Sequence, residues 1–369
     1  MTVDPLLPVS ITVTPSANPV CGNIPVTFTA TPTNGGSSPG YQWKVNGINA
    51  GTNSPIFTYL PMTNDQITCI LTSSEPCATG NPASGNPVSM IVVTAPEITF
   101  TPCFDTITTT NAQPFKLKGG IPLGGTYSGS GVSSESGGSG VLYYFNPAIA
   151  GTGNHLITYS YTNVALCTDA RYVIIDTRSA APFSCGNDLL DIRDSSVYPT
   201  IQIGSQCWFA SNLNYGTEVP YTTPQRDNCI PEKYCNTVLP VPCALSSVLY
   251  QWDEVMTYSG IEETQGLCPP GWHLPSEADW NQLFAFYQGN AFAGRPLLYS
   301  GYSGFNAQLT GINAFNRSWH FDGFATIFWS STSHGPWKAW AHGMNEYNYS
   351  VSYYPSYRAN GFSVRCLRD

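Results

Sequence analysis

The stretch "GLCPPGWHLPSEADWNQLFAFYQGN", residues 266–290, decides how the C-terminal half of the chain is read. It holds the clearest helix signal in the sequence. Ser276 is a good N-cap, and Asp279 follows at the capping-box spacing. Trp280, Leu283, Phe284 and Tyr287 form an i, i+3, i+4, i+7 apolar stripe, and Gly289 can terminate the helix. "VLYQWDEVMTY" (248–258) reads as a second, weaker helix with Trp252, Val255 and Met256 on one side. After Gly301 the pattern returns to strands.

Away from this stretch the sequence is turn-rich β. Charged residues are only 10% of the 369, while Gly (34) and Pro (30) are abundant, and Ser, Thr, Asn and Tyr stand where charges usually do. The net charge of -9 argues against nucleic acid, because nothing could neutralise a run of phosphates. The twelve cysteines show no CxxC spacing and read as disulfides of an oxidising compartment. No run of about 18 apolar residues marks a membrane span. "MTVDPLLPVS" lacks the basic start and apolar core of a leader. The expectation is either a leader already removed or release by cell lysis, as for a phage component.

Three segments are expected. Residues 1–94 alternate apolar and polar residues in "ITVTP", "VTFTATP", "YQWKVNG", "IFTYLP", "QITCILTS" and "VSMIVV", separated by "NGGSSPG" and "NGINAG". Cys21, Trp43 and Cys69 follow the order of an immunoglobulin-type sandwich, in which a disulfide between Cys21 and Cys69 would back the core tryptophan. "NPVCGNIPVTFTATPTNGG" and "YQWKVNGINAGTNSPIFTY" resemble the PKD-like or immunoglobulin-like modules of large Bacteroidetes surface proteins. Residues 95–180 resemble a second such module, in "GGTYSG", "FNPA" and "LITYSYTNVALC", with Ile157, Tyr159 and Tyr161 on one strand face. Cys103 and Cys167 are its only cysteines and are expected to pair. Both modules read as rigid spacers.

Residues 185–369 carry "DIRDSSVYPTIQIGSQCWFASNLNYGT", "EKYC", "LYQWDEVMTY", "GLCPPGWHLPSEADW", "FWSST" and "GFSVRCLRD", in that order. Together these resemble the FISUMP (Fibrobacter succinogenes major paralogous) domain, which is linked to C-type-lectin-like folds. The resemblance implies an α+β domain with two helices, a small twisted sheet and long disulfide-braced loops. It also implies a bond from Cys268, before the helix, to Cys366 in the last strand. Cys235 and Cys243 bracket a short loop, and Cys185 and Cys207 flank the first hairpin. Cys77 and Cys229 are left over, so either they join each other or one other pairing differs.

The same resemblance makes the segment between "FWSST" and "GFSVRC" a binding face. Tyr and Trp give large, rigid contact area, and Ser, Gly and Asn give adaptable hydrogen bonds. The candidate ligand-binding residues are His334, Trp337, Lys338, His342, Asn345, Tyr347, Tyr349, Tyr353, Tyr354, Tyr357 and Arg358. Asn316, Arg317, Trp319, His320 and Asp322 flank them. Phe328, Trp329, Trp340, Phe362, Val364 and Cys366 are expected in the core. Domains of this kind are recurrent targets of diversity-generating retroelements, and the Asn, Tyr, Ser and His enrichment is compatible with that history.

Catalytic chemistry is not expected. The EPN, QPD and WND motifs of calcium-dependent sugar binding are absent, as are GxSxG, HExxH and Walker loops. His273 reads as structural. Glu262–Glu263 sits in a loop, and Glu277 with Asp279 serves a helix N-terminus. No metal or other cofactor is expected, though irregular loop oxygens leave calcium open. The leading expectation is an extracellular, secreted or surface-attached adhesin or receptor-binding protein whose ligand is a surface protein or glycan. The alternatives are a filament or pilus subunit that self-associates through its N-terminal segment, and a phage receptor-binding fibre.

Overall fold

The computed structural model describes residues 6–137, 140–164, 166–235 and 248–369. The chain is mostly β and divides into two compact units. The first comprises residues 1–98, 122–125 and 160–171, and the second comprises 99–121, 126–159 and 172–369. Among the described residues no helix is long and apolar enough to cross a membrane.

In the first unit, strands Ser10–Pro15, Val26–Thr33 and Ile56–Tyr59 form one antiparallel sheet. Gly40–Val45 and Gln66–Thr72 form the middle of a second sheet. Alternation along each strand turns Ile11, Val13, Val26 and Phe28 toward Trp43, Ile67 and Leu71, which closes one core between two sheets in the manner of an immunoglobulin-like sandwich. Asp65 braces the turn into Gln66–Thr72. Its carboxylate accepts from the Met62 N–H (2.7 Å), the Asn46 amide (2.8 Å) and the Tyr59 hydroxyl (3.0 Å). Burial raises its pKa, but these hydrogen bonds outweigh that and hold it below the usual carboxylate range. Leu7–Pro8 pairs in parallel with Ala78–Thr79 inside this unit. Residues 1–5 of the N-terminal segment lie outside the described residues.

The Cys21–Cys69 bridge does not form. Cys69 is a buried free thiol directly across from Trp43 in register, and burial raises its pKa to about 11. Cys21 instead lies on the two-residue strand Val20–Cys21, which pairs with Val92–Val93. From there it bonds Cys167, with Cα atoms 5.6 Å apart. That replaces the expected Cys103–Cys167 pair, and Cys103 bonds Cys229 at a Cα separation of 4.2 Å. Cys77 is left as a free thiol. The reason is local packing of the loop that carries Cys167. Asn163, in the part of the first unit that carries Cys167, donates to the Thr94 carbonyl, next to the Val92–Val93 strand that pairs with Val20–Cys21. The Cys235–Cys243 pairing involves Cys243, which lies outside the described residues.

The second unit begins with a small sandwich. Ile107–Thr109 joins the sheet of Thr168–Arg178, Gly153–Thr162 and Thr126–Ser128, while Phe115–Lys116, Gly140–Phe145 and Val132–Gly137 form another sheet. Their core is compact: Leu117, Phe145, Ile157 and Ile175. Within the unit, Arg193 ties residues distant in sequence together. Its guanidinium bridges Asp105 (3.1 Å) and Asp191 (2.8 Å) and lies 3.9 Å over the Tyr215 ring. Cys103–Cys229 adds a covalent tie to the same region.

The C-terminal part is built on a large sheet. In spatial order it runs Thr217–Val219, Glu232–Cys235, Val248–Gln251, Gly361–Phe362, Thr310–Asn313, Ala325–Ser333, Lys338–Asn345 and Ser352–Tyr357. A second sheet pairs Gln206–Phe209 with Leu367–Arg368, and Leu367–Arg368 with Trp272–His273, which brings the end of the chain back to its first hairpin. Cys268–Cys366 and Cys185–Cys207 are both bonded, with Cα separations of 5.9 and 5.8 Å.

The Glu277–Phe286 helix starts with a full capping box. The Ser276 hydroxyl accepts from the Asp279 N–H, and the Asp279 carboxylate accepts from the Ser276 N–H. Trp280, Leu283 and Phe284 are buried beneath it. A second helix, Asn290–Leu297, follows at once from Gly289, whose φ of 101° suits a residue without Cβ. "VLYQWDEVMTY" is not the expected helix. Val248–Gln251 is a fully buried strand and only Trp252–Val255 makes a helical turn, because Thr257 and Tyr258 then adopt positive φ.

Candidate functional site

The face marked out by the aromatic segment is the free edge of the large sheet. Among the described residues Ser352–Tyr357 pairs only with Lys338–Asn345, with Tyr353 opposite His342, Pro355 opposite Trp340 and Tyr357 opposite Lys338. Directly opposed residues share a face, so these six side chains point the same way. The Glu277–Phe286 helix covers only one end of that row. His342 lies beneath it, buried, with its ring 5.0 Å from Trp280 and 5.1 Å from Phe284 and its Nε2 2.7 Å from the Glu277 carboxylate. His342 is therefore a core residue and leaves the contact set. Trp340 departs in the other direction. Expected in the core, it is half-buried and stands between the His334 ring (5.1 Å) and the Tyr353 ring (6.2 Å).

The remaining candidates separate by position. Trp337, Tyr347 and Tyr353 are 76%, 74% and 57% exposed, and Tyr349, Tyr357 and His334 are exposed as well. Lys338 sits 4.8 Å over the Tyr357 ring, which also meets Phe315 at 5.6 Å. Tyr349 is held by Arg295, which donates to its hydroxyl at 2.7 Å. Asn345 turns inward to its own loop, accepting from the Tyr347 and Asn348 N–H groups. Tyr354 points to the opposite face, where it remains 37% exposed; the hydroxyl end of its ring lies beside Gly343, and partial desolvation raises its pKa to about 12. Phe328, Trp329, Phe362, Val364 and Cys366 are all buried.

Arg358 is fixed by its surroundings rather than free. Its guanidinium lies 4.0 Å over the Trp252 ring and donates to Ser333 Oγ (2.8 Å), the Gly335 carbonyl (3.1 Å) and Asp253 (3.3 Å). Trp337, Tyr357 and Arg358 share a cleft of 420 Å³ with Asp253, Glu254 and Arg317. The sequence reading missed the two acids, which sit on the helical turn that opens the cleft floor. Burial raises the Glu254 pKa to about 7, against hydrogen bonds from the Glu232 N–H and the Tyr258 hydroxyl. Of the flanking residues, Arg317 reaches this cleft, and Trp319 packs on Tyr221 at 6.0 Å. Asn316 and His320 hydrogen-bond Ser318, and Asp322 pairs with Thr310 in the strand register.

A further residue the sequence reading passed over is Arg365, in the last strand region. It is fully buried, lies 4.6 Å over the Phe305 ring, and donates to the carbonyls of Phe209, Phe305 and Asn306 and to the Asn212 side chain. It fastens the loops behind the sheet. Among the described residues no group of three or more His, Cys, Asp or Glu is placed to hold a metal ion.

With the fold and its paired termini in view, residues 201–368 match the family model of the Fibrobacter succinogenes major domain. The chain carries that domain at its C-terminus. The aromatic edge and the cleft both lie within this major domain. None of the curated proteins matches the sequence. Among solved structures, the chain is similar to a 1.5-MDa bacterial ice-binding adhesin at 14% identity, over 48% of this chain and 67% of that one, with a TM-score of 0.29. It is similar to a Ca2+-stabilized, ice-binding adhesin of an Antarctic bacterium at 13% identity, over 56% and 63%, with a TM-score of 0.31. Fibronectin(III)-like modules of Clostridium thermocellum CbhA follow at 12% identity, over 45% and 94%, with a TM-score of 0.29.

Proposed function

We propose that this chain is an extracellular, adhesin-type binding protein whose major domain holds a protein or glycan on a surface. The observation that carries the reading is the row of exposed rings on one sheet edge. Trp337, Tyr347, Tyr353 and Tyr357 stand in solvent on strands and loops that a packed core and the Cys268–Cys366 bond hold in place. Rings left exposed on a rigid support lose little conformational freedom when they are covered, which is the property a recognition surface needs. Pro355 on the edge strand blunts pairing with a foreign strand, so side chains rather than backbone groups are offered for contact. The disulfides suit an oxidising, extracellular setting. The immunoglobulin-like part of the first unit acts as a spacer.

The test is retention of the labelled full chain on intact cells. The double variant Tyr347→Ala, Tyr353→Ala is expected to lose about tenfold or more in retention at an unchanged melting temperature. Retention equal to the parent protein would contradict the reading.

A further inference from the structure

We propose that the cleft beneath Trp337 is a saccharide subsite. The inference rests on the reading of the domain as a recognition module, and it names the ligand class for one end of the aromatic edge. A pyranose ring presents C–H groups on its faces and hydroxyls around its rim. It is recognised by an exposed flat ring next to fixed planar polar groups that supply both donors and acceptors.

The cleft supplies both parts. The Trp337 indole is 76% exposed at the mouth, and Tyr357 stands beside it. Asp253 uses Oδ1 for Arg358 and has Oδ2 as its second acceptor oxygen. Arg317 spends Nη1 on the Tyr234 hydroxyl and the Ala359 carbonyl, and among the described residues it has no carboxylate partner. Its remaining N–H groups are donors at the cleft wall.

The polar floor is organised before any ligand arrives. Gln225 and Gln251 hold each other reciprocally, each side-chain oxygen accepting the other's backbone N–H, at 2.7 and 2.8 Å. Arg358 is fixed by four partners. Thr257 and Tyr258 hold left-handed backbone at φ 51° and 57°, and Tyr258 hydrogen-bonds Glu254 across the floor. Pro224, Pro336 and Ala359 line the cleft beside the rings, so most of its open surface is apolar and suits the C–H faces of a sugar, with the polar groups confined to its wall and floor.

The experiment is affinity electrophoresis of the full chain through native gels containing xylan, dextran, laminarin, polygalacturonate or alginate. At least one gel is expected to retard the protein. Trp337→Ala and Arg317→Met should each weaken that retardation about tenfold or more, while Tyr172→Ala, an exposed tyrosine of the second unit far from the cleft in sequence, should not. Trp337→Phe, which keeps a flat ring, should recover part of the retardation and guards against misfolding of the alanine variant. No retardation by any of the five, or retardation that survives Trp337→Ala, overturns the proposal. The cell-retention test separates the two ideas. If the Tyr347, Tyr353 variant loses cell binding but no gel retards the protein, the recognition reading stands and the saccharide subsite falls. If a gel retards the protein through Trp337 while cell retention ignores the tyrosines, the subsite stands and the broader reading falls.

Discussion

At the scale of single residues, two buried ionisable groups give the major domain a pH signature. His273 lies between Asp369 (2.6 Å) and Asp279 (3.5 Å). Burial opposes its charge, but the two carboxylates outweigh burial and raise its pKa to about 9. A raised histidine pKa means that the folded state holds the proton more tightly than the unfolded chain. Its stabilisation is complete below the ordinary value of 6.5 and is lost as pH rises through 9, by about 3 kcal/mol at most. Thermal denaturation from pH 6 to pH 9.5 should show this decline, and His273→Gln should flatten it. Glu254 acts in a lower window. Its pKa of about 7 means that ionisation on raising the pH from 4.5 to 7 costs the fold up to about 3 kcal/mol. Glu254→Gln should therefore melt higher than the parent at pH 8 and nearly level with it at pH 4. Equal melting at pH 8 would show that this carboxyl is not strained by burial. His273 was readable as structural from its place in "GWHLP". Glu254 was not readable, because its burial comes from strands more than twenty residues away in sequence.

At the scale of elements, the clearest sequence signal became the best-formed helix. The capping box at Ser276 and Asp279 and the Trp280, Leu283, Phe284 stripe are local features, so nothing elsewhere needed to be known. Ser276→Ala should cost about 1 kcal/mol in thermal denaturation, since it removes the acceptor for the Asp279 N–H. A loss near zero would mean that the cap is replaced by Thr332, which already accepts the Glu277 N–H. Val248–Gln251 misled the reading because four buried residues in a row carry no periodicity that distinguishes strand from helix. His342 misled it for a related reason. Strand alternation places it on the same face as Trp340, and only the position of the helix buries one and leaves the other half open.

At the scale of the whole molecule, the mostly β character and the C-terminal family were legible, because both rest on composition and on blocks of contiguous sequence. The disulfide pattern was only partly legible. Cys268–Cys366 and Cys185–Cys207 join elements of one domain, whereas Cys21–Cys167 and Cys103–Cys229 join residues 146 and 126 positions apart. Spacing along the chain cannot show which loops fold back onto which sheets. Non-reducing peptide mapping should recover a Cys21–Cys167 peptide and alkylatable Cys69 and Cys77 after unfolding. A Cys21–Cys69 peptide would contradict the fold of the first unit. Closing a loop of that length also predicts that the Cys167→Ala variant is destabilised by about 5 kcal/mol in the chain-entropy picture.

The most direct test of the central claim is an alanine scan of residues 334–358 in the full chain, with ligand retention and melting temperature measured on every variant. The account predicts two separate groups. Trp337, Tyr347, Tyr353 and Tyr357 should lose retention with melting unchanged, and His342 should lose melting temperature through its place beneath the helix. A scan in which the exposed aromatic positions alter stability and leave retention intact would contradict it.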